Sequence, residues 1–152
     1  MIKAVIFDWG RTLYDSECKQ EFPAAKEILV FCQARGLRLA LVSLVSAVAN
    51  ATLKERRNQI ERSPLRPCFE IALVTDNDKD ALYDQVVKHF ALPREEVLIV
   101  DDRVIRGIRY GNAHGHPTVW IKKGKFAGEL PNAATGMPTH MITELIQLKD
   151  IL

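Results

Sequence analysis

Five short runs of this chain are apolar at nearly every position: residues 2–7, 37–42, 69–74, 97–100 and 118–121. A strand with one face in water alternates apolar and polar residues, whereas a strand covered on both faces reads as a continuous hydrophobic run. Between the runs lie stretches that read as helices, among them one with Leu82, Val86, Val87 and Phe90 on a single side. Buried strands alternating with helices predict a mainly parallel sheet of five or six strands, covered by helices on both faces: a three-layer, Rossmann-like α/β domain. The 152 residues, 47 % of them apolar and 26 % charged, suffice for one such domain with a real core and not for two.

Local signals place the remaining elements. Phe22-Pro23 opens a helix to about residue 35, with proline tolerated in the first turn and Gly36 ending it. Residues 9–20 read as a loop. Ser46 reads as the cap of a helix over residues 48–62, whose second half is strongly polar. Residues 76–80 form an acidic turn before a helix over 81–90, and a helix or broken helix follows the fourth strand to residue 112. Residues 122–138 read as a loop, the one candidate for disorder; 140–142 as a last short strand; and Thr143 as the cap of a final helix carrying Leu145, Ile146 and Leu148. Cys18, Cys32 and Cys68 are far apart and in no metal-like spacing, which predicts reduced thiols in a cytoplasmic protein. The start has no secretory pattern, and residues 37–53 are broken by Arg38, Ser43, Ser46 and Asn50, unlike a membrane span.

Polar residues stand where apolar runs stop. Asp8 ends the first run, Ser43 the second, and Asp101-Asp102 the fourth; Lys79 opens the helix after the third. In a parallel sheet these ends share one edge, so the groups can converge on one crevice. Alone, Asp8 reads equally as a turn or capping residue, Ser43 as a turn residue and Lys79 as a solvated side chain. The adjacent Asp101 and Asp102 are harder to explain that way, because they repel one another unless a cation or hydrogen-bond donors compensate. Together the set suits phosphoryl chemistry. One carboxylate attacks phosphorus, another holds Mg2+, and a hydroxyl and a lysine bind the remaining oxygens.

Val5-Ile6-Phe7-Asp8-Trp9-Gly10-Arg11-Thr12-Leu13-Tyr14-Asp15-Ser16 resembles the first motif of the haloacid dehalogenase-like (HAD) superfamily, a strand followed by Asp-x-Asp-Gly-Thr-Leu and often x-Asp-Ser. Ser43 matches that family's second motif, Lys79 its third, and residues 97–102 its fourth. The resemblance spans essentially the whole chain, and it implies a HAD-like fold and Mg2+-dependent hydrolysis. It implies Asp8 as nucleophile, Ser43 and Lys79 on the phosphoryl group, and Asp8, the Gly10 carbonyl and Asp102 on the metal. Asp101, Thr12 and Arg106 are additional candidates.

Two departures qualify that expectation. The family's general acid and base, two places after the nucleophile, is Gly10 here; help of this kind is worth roughly a hundred- to ten-thousand-fold in rate. Where the family places a further Asp or Asn after the fourth motif, this chain has Arg106, within a basic stretch holding Arg103, Arg106, Arg109, Lys122, Lys123 and Lys125. Such a stretch is either a solvated helix face or a rim that attracts an anionic substrate or a nucleic-acid backbone. Phosphonoacetaldehyde hydrolases share Asp-Trp followed by a small residue but take a lysine from a cap domain, for which this chain has no room. A receiver domain expects its acidic pair after the first strand, not the fourth, and carbon–halogen hydrolysis in the family needs an enclosing cap. The expectation is therefore a single HAD-like domain, its cap minimal or absent, acting on a phosphorylated small molecule or macromolecule with low or specialised activity. The alternative is a catalytically degraded HAD-fold domain that binds phosphate or regulates.

Overall fold

The computed structural model describes residues 1–48 and 51–152. Its centre is β1 (Ala4–Asp8), buried at every position. Parallel neighbours flank it: β4 (Arg38–Leu44) on one side and β6 (Val97–Asp101) on the other. The sheet extends outward through β5 (Ile71–Thr75) beyond β4, and through β7 (Thr118–Ile121) and β8 (His140–Ile142) beyond β6. All six strands are parallel, in the order β5-β4-β1-β6-β7-β8.

Alternate side chains divide the core into two layers, as strand pleating requires. Val5, Phe7, Leu39, Leu41, Leu98 and Val100 face α1 (Pro23–Ala34), which supplies Ile28, Leu29 and Cys32, and the last turn-rich segment, which supplies Leu145 and Leu148. Ala4, Ile6, Ala40, Val42, Val97 and Ile99 face α3 (Lys79–Phe90), with Leu82, Tyr83, Val86 and Phe90, and Tyr110 of α4 (Arg109–His114). The chain order reverses at β1, from β4 on one side to β6 on the other, so the crevice at their carboxyl ends is where an open α/β sheet presents reactive groups.

Several boundaries differ from expectation, each for a local reason. The second helix, α2 (Leu53–Glu61), is capped by Thr52, not Ser46: Thr52 Oγ1 accepts from the Glu55 amide while the Glu55 carboxylate accepts from the Thr52 amide, a reciprocal capping box. The expected helix start crosses residues 49 and 50, which lie outside the described residues. The loop after β1 contains an antiparallel hairpin, β2 (Tyr14–Asp15) and β3 (Gln20–Glu21). The final element is a 3-10 helix, Leu145–Asp150, with the capping exchange at Glu144 and Gln147, one residue beyond Thr143. The long loop before β8 is tied down by Asn112, whose Nδ2 donates to the carbonyls of Thr135 and Met137.

Helix α4 sits against β7 with no room to spare. A Cβ on Gly111 would run directly into the Thr118 Cγ2 methyl. Gly111→Ala should therefore destabilise the fold by about 1–3 kcal/mol, the usual cost of overpacking a core, despite alanine's better helix propensity. Chemical denaturation of the variant against the parent reads this directly; an unchanged midpoint would mean that α4 moves freely on the sheet.

Candidate active site

The carboxyl ends of β1 and β6 bring three aspartates together. One oxygen from each of Asp8, Asp101 and Asp102 lies within 4.8 Å of the others, and all three residues are buried. Lys79, the first residue of α3, reaches in from the β5 side and is itself only 4 % exposed. Its Nζ donates to Asp8 Oδ1 at 2.7 Å and to Asp101 Oδ2 at 2.9 Å. One buried ammonium thus serves two carboxylates, a geometry that burial tolerates only when charges are paired and hydrogen-bonded.

The three aspartates are held differently, and their electrostatics diverge accordingly. Asp101 is the most heavily supported. Besides Lys79, its carboxylate accepts from the Tyr83 hydroxyl at 3.2 Å, the Arg103 amide at 3.0 Å and the Gly107 amide at 2.9 Å. Burial would raise its pKa, but the Lys79 charge and these donors outweigh burial and hold it below the usual carboxylate range. Gly107 belongs to a π-helical turn, Val104–Ile108, and a Cβ there would stand 2.5 Å from Asp101 Oδ2. Only glycine lets that backbone approach the carboxylate so closely.

Asp8 shares Lys79 and has one further donor, the Thr12 hydroxyl at 3.0 Å to Oδ2. Burial and the nearby Asp101 charge outweigh these, so its pKa is raised. Asp102 is the least satisfied. Its main-chain carbonyl accepts from the Trp120 indole at 3.0 Å, which fixes the residue, but its Oδ2 is buried and lacks a hydrogen-bond partner among the described residues. Burial, then the Asp8 and Asp101 charges, push its carboxyl up to about 10. Burial opposes the Lys79 ammonium, yet Asp101 and Asp8 keep it protonated, well above the ordinary lysine value. A buried acidic cluster with an orphaned carboxylate oxygen suits a hard divalent cation, which takes oxygen ligands.

The cluster opens into a crevice of about 880 Å³. Asp8, Gly10 and Asp102 line its floor, and Arg11, Arg56, Arg103, Arg106 and Lys125 line its sides. The basic stretch after β6 is therefore split by the fold. Arg103, Arg106 and Lys125 face the crevice, whereas Arg109 makes a two-pronged ion pair with Asp80 at 2.7 and 2.8 Å and Lys123 pairs with Glu144 at 2.8 Å. Arg103 also stacks over the Phe126 ring at 3.6 Å and pairs with Glu129 at 3.1 Å, so Arg106 and Lys125 are the freer cations of that stretch.

Ser43 is placed less directly. It is 1 % exposed, and its Oγ accepts from Arg56 Nη1 at 2.8 Å, so the guanidinium lies between the hydroxyl and the crevice. Helix α2 is anchored there by Gln59, which accepts from the Trp9 indole at 2.7 Å. Arg56 is the site residue that sequence reasoning passed over, within what reads as the solvated half of a polar helix. The available signal was spacing: Arg56 and Gln59, three residues apart, share a helix face with the buried Ile60 alongside.

Comparison with known proteins agrees with this geometry. A family model described as HAD-hydrolase-like matches residues 78–148. Glyceraldehyde 3-phosphate phosphatase from Pyrococcus furiosus is 26 % identical over 138 residues, 88 % of this chain and 55 % of that protein. Both matches are to haloacid dehalogenase-like or phosphatase proteins, to which this chain is similar. It spans about half the length of that curated relative. An L-2-haloacid dehalogenase superposes with a TM-score of 0.79 at 15 % identity, over 99 % of this chain and 98 % of the other. The HAD hydrolase YfnB of Bacillus subtilis, bound to magnesium, gives 0.68 at 21 % identity, over 88 % of this chain and 56 % of its own. Among the described residues no helix is long and apolar enough to cross a membrane.

Asp102 gives a clean electrostatic test. With its pKa raised from the ordinary 3.8 to about 10, folding in the absence of metal takes up a proton at neutral pH. The contribution is fully present below the unfolded pKa and is lost as pH rises towards the folded one. Asp102→Asn, which mimics the protonated acid, should remove that part of the slope. In chelator at pH 7 it should melt about 2–4 °C above the parent, about 1 kcal/mol in a chain of this size. A lower melting temperature across the pH range would show that the carboxylate is stabilised as an anion.

Proposed function

We propose that this protein is a phosphohydrolase of the HAD type with low or specialised activity, acting on phosphorylated compounds. The observation that carries the reading is the shared ammonium: Lys79 aims the Asp8 carboxylate at the floor of an open crevice, beside a second, unsatisfied carboxylate on Asp102. The reaction has two steps. An Asp8 oxygen attacks phosphorus, the bond to the leaving oxygen breaks, and an aspartyl-phosphate forms. Water then attacks the same phosphorus and releases phosphate, returning the Asp8 carboxylate.

Asp8, the Gly10 carbonyl and Asp102 are the groups that would hold Mg2+; once bound, it neutralises charge on phosphoryl oxygens. Lys79 orients Asp8 and contributes positive charge. Thr12 fixes the other Asp8 oxygen. Asp101, through its four donors, positions Lys79 rather than facing substrate. Nothing at residue 10 protonates the leaving group, so substrates whose leaving oxygen is weakly basic, such as acyl or aryl phosphates, are favoured. Between β1 and α1 the chain builds only the β2–β3 hairpin, which supports a domain with a minimal cap and an open site. A phosphorylated small molecule fits the crevice, in line with the phosphatase relative. A nucleic-acid backbone fits less well, because Arg11, Arg103 and Arg109 already have acidic partners. The three free thiols suit a cytoplasmic setting.

A second reading, a phosphate-binding domain without turnover, draws on Gly10 and on the burial of Ser43 beneath Arg56. Hydrolysis of a nitrophenyl phosphate and of an alkyl phosphate with Mg2+ separates the two. Asp8→Asn should abolish turnover of both. Gly10→Asp has room, since a Cβ there meets its nearest neighbours at 3.6 and 3.8 Å. It should accelerate the alkyl ester about a hundredfold, the low end of general-acid catalysis, and the aryl ester much less. The low end is expected because the 3.8 Å neighbour is Arg56 Nη1, which favours the ionised carboxylate. Turnover that survives in Asp8→Asn, or is absent from every form, would remove the hydrolase reading.

A further inference from the structure

We infer that Arg56, not Ser43, is the group on the α2 side of the crevice that binds the phosphoryl oxyanion, and that Ser43 acts by positioning Arg56. This deepens the phosphohydrolase reading and rests on the same crevice. Three observations converge on it. The first is access: Arg56 lines the crevice, whereas Ser43 is 1 % exposed and does not. The second is an unbalanced charge. Arg56 is half-buried, and among the described residues it forms no ion pair; the neighbouring Glu55 carboxylate is taken by the Thr52 amide in the capping box. The third is unused bonding capacity. A guanidinium carries five N–H donors, yet Nη1 gives one bond, to Ser43, and the buried Nε has no partner among the described residues.

A half-buried cation without a direct ion-pair partner is costly unless an anion arrives to compensate it. Arg56 is one turn before Gln59, which anchors α2 to Trp9, so the guanidinium is held on a rigid element. Its charge interacts with that of Asp8. Glycine at residue 10 leaves the space beside Nη1 free; a Cβ there would stand 3.8 Å from it. The ligand class is a tetrahedral oxyanion, phosphate in the first instance, because a planar fork of donors matches two of its oxygens at once.

The test is a double-mutant cycle read by calorimetric binding of inorganic phosphate to the full chain in Mg2+. It is accompanied by nitrophenyl phosphate turnover and by circular dichroism to confirm folding. Arg56→Ala should weaken phosphate binding about ten- to a hundredfold, the loss expected for a charge-assisted contact. Arg56→Lys should recover only part, since a point charge lacks the fork. Ser43→Ala should weaken binding several-fold in the parent and have no further effect in Arg56→Ala, because its influence runs through the guanidinium. Equal effects of Ser43→Ala in both backgrounds, or phosphate affinity unchanged in Arg56→Ala, would overturn the inference. If either occurs while Asp8-dependent turnover persists, the hydrolase reading stands without it. If phosphate binds through Arg56 but no form turns over, the inference stands and the hydrolase reading falls. If the parent neither binds nor turns over phosphate, both fall.

Discussion

Burying the Lys79 ammonium between two carboxylates is the arrangement on which the rest of the site depends. Bringing three charges into the protein interior costs several kcal/mol per ion unless each is compensated. Here compensation comes from four parts of the chain at once: β1 brings Asp8, β6 brings Asp101, α3 brings Lys79 and Tyr83, and the π-helical turn with its preceding residue Arg103 brings two backbone amides. Removing any one leaves a buried charge with too few partners. The turn's glycine follows from this demand, because a Cβ at residue 107 would stand 2.5 Å from Asp101 Oδ2.

The same arrangement sorts the aspartates into distinct kinds. Asp101 is saturated with donors and serves as a fixed counter-charge. Asp8 is partly supported and faces the crevice. Asp102 is starved of partners and is the carboxylate on which a cation would act most strongly. Identical side chains in one cluster thus acquire separate chemical characters from burial, from the charges beside each and from the hydrogen bonds each receives.

Much of this is readable in the sequence. Continuous apolar runs mark buried parallel strands because nothing else keeps both faces of a strand dry, and the polar residue that stops each run falls at the sheet's carboxyl edge. Asp8, Lys79, Asp101 and Asp102 were located by that logic, and the structure brings those four together. Legibility failed where the signal was side-chain exchange at helix ends. Ser46 and Thr52 are both good caps, and only the reciprocal bond with Glu55 decides between them. It failed again at Arg56, because a charged helix face looks the same in sequence whether it meets water or a crevice. The two-residue strands of the β2–β3 hairpin are too short for alternation to show.

The parallel topology has a consequence for how the molecule behaves as a whole. Asp8 and Asp102 lie at opposite reaches of the chain, and the groups that hold them come from strands that pair only after long crossovers. Residues 79–107 carry most of the cluster, but Asp8 joins it only when β1 pairs with β6. Unfolding of β6 or α3 takes Asp101 or Lys79 out of the cluster, so the site depends on β1, β6 and α3 being assembled together. Occupancy of the crevice is therefore coupled to the global folding equilibrium: an anion or cation that settles there tightens the entire domain, and the melting curve itself becomes a binding isotherm.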